Sequence, residues 1–142
     1  MVEWRQFLPS AGVEGLHHEE IAEIAGDQGG ALPEEYVAFL AVAGRRCGLV
    51  YHGSRHFYPD LLGIREDAKE ILSDCKSDVV LRDGQIVFGM HQGYHFFFFE
   101  DLSADPAVFG YREYDALPTR VSDSFSQFLA DVLREDWGGP RQ

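Results

Sequence analysis

Long apolar runs, cysteine pairs and basic charge are all scarce in this chain. No stretch of about 18 apolar residues occurs, so the sequence offers no transmembrane helix. Cys47 and Cys75 are the only cysteines, which make neither a disulfide framework nor a zinc spacing. Met1-Val2-Glu3-Trp4-Arg5 lacks the basic start and apolar core of an export signal, so the expected location is the cytoplasm. Lys and Arg number 12 against 24 Asp and Glu, a formal net charge of −12. Phosphate binding needs clustered cations, which argues against nucleic acid or an anionic membrane as partner. A negative field would instead steer a basic protein to the surface, or simply keep the domain soluble.

Catalytic signatures are missing as well. There is no G-x-S-x-G elbow and no G-K-[ST] phosphate loop, and neither cysteine lies in a catalytic motif. His52 and His56 are four apart, as are His91 and His95. That spacing places two imidazoles on one metal only when it lies on a helix. Here one pair falls in a Gly-Ser loop and the other straddles a turn, and no Cys or acidic residue completes a ligand set. The acidic pairs Glu19-Glu20, Glu34-Glu35 and Glu100-Asp101 are explained by solvated helix ends and a loop. No enzyme, metal site or cofactor is expected.

What the chain does have is an aromatic centre. At 142 residues, with 45% hydrophobic and 25% charged, it fits one domain of ordinary size. Ile86 to Glu100 reads IVFGMHQGYHFFFFE, two apolar runs around a short polar break with Gly, which predicts a β-hairpin. In the second strand Tyr94, Phe96 and Phe98 share one face, and His95, Phe97 and Phe99 the other. Leaving Phe97 and Phe99 in water would forfeit about 3–6 kcal/mol, a large part of the roughly 5–15 kcal/mol that holds a domain together. Both faces must therefore be covered, by the chain or by a partner.

Around that hairpin the pattern predicts helices at both ends of the chain. Trp4, Phe7 and Leu8 suggest a short opening helix before a loop from Pro9 to Gly12, and Leu16 to Ala25 a second, ended by Gly26, Gly29 and Gly30. Pro33 suits the first position of a third, with Glu34 and Glu35 at its positive start; Tyr36, Phe39, Leu40 and Ala43 make one apolar face, and Gly44 is placed as its cap. Gly48 to Tyr58 reads as one or two short strands. Ile64, Ala68, Ile71 and Leu72 mark another helix, Asp83-Gly84 a turn and Val108 to Tyr114 a strand. Ser124 and Gln127 read as a capping box before Phe125, Phe128, Leu129 and Val132. The expected class is α+β, one domain over 1–142 with a mainly antiparallel sheet, the terminal helices packed on one side and 138–142 a flexible tail. The turn residues His91, Gln92 and Tyr94, with Tyr51, Tyr58, Tyr111 and Tyr114, are candidate partner contacts, because tyrosine joins an apolar ring to a polar tip and is enriched at interfaces.

Three segments in order carry a resemblance: Leu32-Pro33-Glu34-Glu35-Tyr36 with Phe39-Leu40, then Met90 to Phe96, then Asp105-Pro106-Ala107-Val108-Phe109 leading to Ser124 through Leu129. Together they resemble the SUKH superfamily, in its bacterial branch related to the yeast cell-wall-assembly regulator. The chain departs from the family pattern at Ala25, Gly26 and Gln28, and at Arg45-Arg46 after Gly44. The resemblance implies a non-catalytic, cytoplasmic immunity protein that neutralises a cognate toxin, often a nuclease, by stoichiometric binding. Two other functions stay open: a scaffold or regulatory module without a toxin partner, and a histidine-dependent metal hydrolase. Oligomeric state is not indicated.

Overall fold

The computed structural model describes residues 1–50 and 54–136. A 3₁₀ turn at Arg5–Phe7 leads to β1 (Val13–Glu14), α1 (His18–Asp27), α2 (Glu34–Ala43) and β2 (Arg46–Cys47), followed by α3 (Ile64–Asp74), β3 (Val87–His91), β4 (His95–Phe99), β5 (Val108–Arg112), β6 (Thr119–Ser122) and α4 (Phe125–Asp136). The protein is α+β. Strands β3, β4, β5 and β6 form one antiparallel sheet in sequence order, and β1 pairs with β2 in a separate two-stranded ribbon.

The Phe run is β4, a central strand hydrogen-bonded on both sides. On one face Phe99 packs against Tyr36 of α2 and Phe125 of α4, and Phe97 against Phe128 of α4. The terminal helices thus share one face of the sheet, as the pattern predicts. Phe88, the extra residue of a β3 bulge, is drawn to the same side and stacks on Phe99 at 4.3 Å between ring centroids. On the other face Phe96 and Phe98 lie opposite Tyr111 and Phe109. Phe96, Phe98 and Tyr111 are nevertheless buried. α3 lies against β3, and its Ile71 borders a hollow with Met90, the cross-strand partner of Phe96. The chain itself therefore covers both faces of the aromatic strand.

Local choices explain most boundaries. Glu20 accepts a hydrogen bond from the His17 N–H (2.9 Å) at the start of α1, and its carboxyl is held below the usual range by that bond first and by Arg45 second. α1 runs through Gly26 to Asp27, two residues beyond the expected end, before Gly29 and Gly30 take positive φ. Pro33 is the N-cap of α2 rather than its first helical residue. Gly44 ends α2 at an ordinary negative φ; what requires glycine there is space, since a Cβ would sit 2.7 Å from the Leu40 carbonyl oxygen and 2.8 Å from the Leu16 side chain. Ser124 Oγ accepts from the Gln127 N–H (3.2 Å), whereas the Gln127 side chain reaches Asp131 and not back to the cap. Asp105, from the β4–β5 loop, completes the α4 start by accepting from the Ser126 N–H at 2.9 Å and from its hydroxyl at 2.6 Å. The expected strands of 48–58 reduce, among the described residues, to the single bridge Arg55–Met90, and the tail from Trp137 onward lies outside the described residues.

Candidate functional site

The antiparallel order puts the β3–β4 and β5–β6 turns at the same end of the sheet. In the first, Gln92 (φ 53°) and Gly93 (φ 74°) both have left-handed backbones, as a type I′ hairpin turn demands, and Gly meets that demand without steric cost. Tyr94 N–H closes the turn on the His91 carbonyl at 3.3 Å. His91 Nδ1 lies 2.9 Å from Ser54 Oγ, and its ring meets Tyr94 edge-on at 6.1 Å. The second turn is tied to the first by Glu113 N–H donating to the Tyr94 carbonyl at 2.9 Å. Tyr114 and Leu117, just beyond, are 77% and 74% exposed.

The structure thus brings His91, Gln92, Tyr94 and Tyr114 to one tip and separates the other candidates from it. Tyr111 is a correction: its ring is buried against Phe96, so it presents no surface to a partner. Its parity on β5 puts it beside Phe96, a cross-strand fact that its own neighbours in sequence do not carry. Tyr58 belongs to a different surface. Its hydroxyl donates to Glu23 of α1 at 2.7 Å, which is the first cause raising its pKa, and Arg45 lies 5.3 Å over its ring. Tyr51 lies outside the described residues, as does His52.

On the helix-covered face of the tip a hollow of about 390 Å³ is lined by His95, Gly110, Arg112, Asp115, Thr119 and Val121. The missing side chain of Gly110 keeps it open, because a Cβ would approach His95 Nε2 to 3.0 Å and Val121 to 3.2 Å. Burial, then Arg112 and His91, hold the His95 imidazole below its ordinary pKa. Two further hollows that share Arg55, Met90 and Gly93 adjoin the β3–β4 turn, the larger against Ser54 and Asp60 and the smaller against α3. Residue reasoning missed this concavity, since Arg55, Asp60 and α3 are far from the turn in sequence.

None of these places carries a reactive constellation. Among the described residues no three His, Cys, Asp or Glu side chains are grouped so as to hold a metal ion. His91 and His95 face each other across the hairpin, and His56 is a core residue. Cys47 is buried, which pushes its thiol up to about 11 and leaves it inert as a nucleophile. Among the described residues, no helix is long and apolar enough to cross a membrane.

An aromatic core under a helix layer, with its wider hollows at the rim among the described residues, describes a small α+β domain whose accessible polar groups lie at its surface. The chain matches the model of the SMI1 / KNR4 family (SUKH-1) over residues 15–131 and belongs to that family. No curated protein matches it.

Proposed function

We propose that the domain is a non-catalytic binding protein of the immunity type, which occludes a cationic toxin domain, such as a nuclease, by forming a stoichiometric complex. Membership of the SUKH-1 family is the observation that carries this reading. The charge distribution supports it. Seven of the 12 Lys and Arg (Arg5, Arg45, Arg46, Arg55, Lys69, Arg120 and Arg134) are each paired with a carboxylate of the same chain, so most of the positive charge is already engaged within the chain and carboxylates dominate what is left to a partner. A surface of one sign speeds encounter with a partner of the other, and the gain falls with salt.

The test is co-expression with the toxin encoded beside this protein. Restored growth together with a co-purifying complex is expected. Absence of both overturns the reading. Several weak partners and no neighbouring toxin would point instead to a scaffold or regulatory module without a toxin partner.

A further inference from the structure

β3 is an edge strand, yet its outer side is occupied where partners would add. Arg55 donates its backbone N–H to the Met90 carbonyl (2.9 Å) and accepts the Met90 N–H (3.0 Å). Three residues before that bridge in the bulged strand, the Gln28 amide does the same for Val87, donating to its carbonyl (2.7 Å) and accepting its N–H (3.1 Å). A partner therefore cannot extend the sheet at Val87 or Met90 through main-chain bonds. It must be held there by side chains.

Beside this closed edge runs a groove. A hollow of about 720 Å³ opens between Ser54, Asp60, Gln92 and Gly93. Through the shared residues Arg55, Met90 and Gly93 it continues into a second of about 310 Å³, walled by α3. Asp67, Glu70, Ile71 and Asp74 all line that wall, as their i, i+3, i+4 and i+7 spacing on one helix face requires. The groove is pre-set rather than loose, because Arg55 is fixed at three points, bonding to the Asp67 carboxylate and to the carbonyls of Asp60 and Leu62. That pairing neutralises Asp67. Asp60, Glu70 and Asp74 have no ion-pair partner among the described residues and stand around the half-buried Ile71, with the buried Met90 at the floor.

We propose that this groove takes a lysine- or arginine-bearing segment of the protein partner, with its cations against Asp60, Glu70 and Asp74 and an apolar side chain against Ile71. The inference rests on the protein-binding reading above and adds where and how the partner is held. A second copy of this chain is a poor occupant, since it would bring another charge of −12 to a negative wall.

A short synthetic peptide of lysine and leucine, titrated into the full isotope-labelled chain and followed by amide NMR, tests it. The largest shifts are expected at Gly93, Ile71 and Asp74. The double variant Glu70→Lys/Asp74→Lys should weaken binding by about tenfold or more, a change typical of losing close charge contacts. The milder Glu70→Gln/Asp74→Asn should weaken it by a smaller factor. The control Glu19→Lys/Glu135→Lys makes the same change of +4 in formal charge, from −12 to −8, and should leave the affinity within about twofold if contacts rather than net charge decide. Equal weakening by both lysine doubles overturns the groove in favour of a diffuse field. Shifts centred on Tyr114 and Leu117 overturn it in favour of the exposed tip. Line broadening at the groove that grows with protein concentration alone overturns it in favour of self-association. All three leave the immunity reading standing, because that fails only if co-expression with the neighbouring toxin gives neither restored growth nor a complex.

Discussion

Tyr111 has a fully buried ring, and its hydroxyl has no hydrogen-bond partner among the described residues. A buried hydroxyl left unpaired costs about 1–3 kcal/mol of desolvation, whereas removing it with little change of shape can be neutral or stabilising. Tyr111→Phe is therefore expected to raise stability by about 1 kcal/mol in urea unfolding; a loss of that size would mean that the oxygen is satisfied. His56 makes the opposite case, a polar ring whose burial sets a pH limit. It is only 4% exposed, lies over Gly89, where an added Cβ would come within 2.1 Å of the ring, and packs against Phe88 and Phe97. Burial first, and the nearby His91 second, push its pKa down to about 3. The unfolded chain takes up this proton near pH 6.5, so the contribution is complete above that value and is lost as pH falls toward 3. Stability should decline by up to about 1.4 kcal/mol per pH unit below 6.5, and the His56 ring should stay neutral in an NMR titration down to pH 5. An ordinary titration near 6.5 would refute the assignment.

At the scale of elements, the helices were readable where a continuous apolar face existed. Tyr36, Phe39, Leu40 and Ala43 mark α2, and Ile64, Ala68 and Leu72 mark α3; all seven are buried. β1 and β6 were not readable, because they are short, two and four residues, and their side chains are mostly exposed, so no alternation records them. The candidate contacts show the same limit. The sequence grouped five tyrosines by type, but pairing across strands decides that Tyr111 faces Phe96 while Tyr114 emerges at the tip. Gln28 is the least legible of all, a polar residue at a helix end that serves a strand far along the chain. Gln28→Ala would strip both partners from the buried Val87 peptide groups and should cost about 2–4 kcal/mol. Gln28→Glu keeps the acceptor but sets a carboxylate against the Val87 carbonyl, so it should fail to restore stability, with faster hydrogen exchange at the Val87 amide. A variant as stable as the parent would show that the edge bonds contribute little.

For the whole molecule, the surplus of acidic over basic residues means that the folded state repels itself at low salt. Raising sodium chloride from about 0.01 M to about 0.15 M shortens the screening length from roughly 30 to 8 Å. The melting temperature of the free domain should rise over that range, and the rate of capture of a basic partner should fall. A melting temperature insensitive to salt would mean that the carboxylates are too dispersed to interact. The same measurement separates stability from recognition, since screening helps one and weakens the other.

The insulation of β4 has a consequence for how such a domain can change. Phe96, Phe98 and Phe99 lie inside the fold, whereas Asp60, Glu70, Asp74, Gln92 and Gly93 lie on its outside. Exposed substitutions usually alter stability by no more than about 0.5 kcal/mol, while core changes cost several times that. Rim residues can then be exchanged one after another without the folded state being lost between steps. On the proposed reading the scaffold and the address written on it are physically separate, so a lineage could move from one partner to the next while every intermediate still folds.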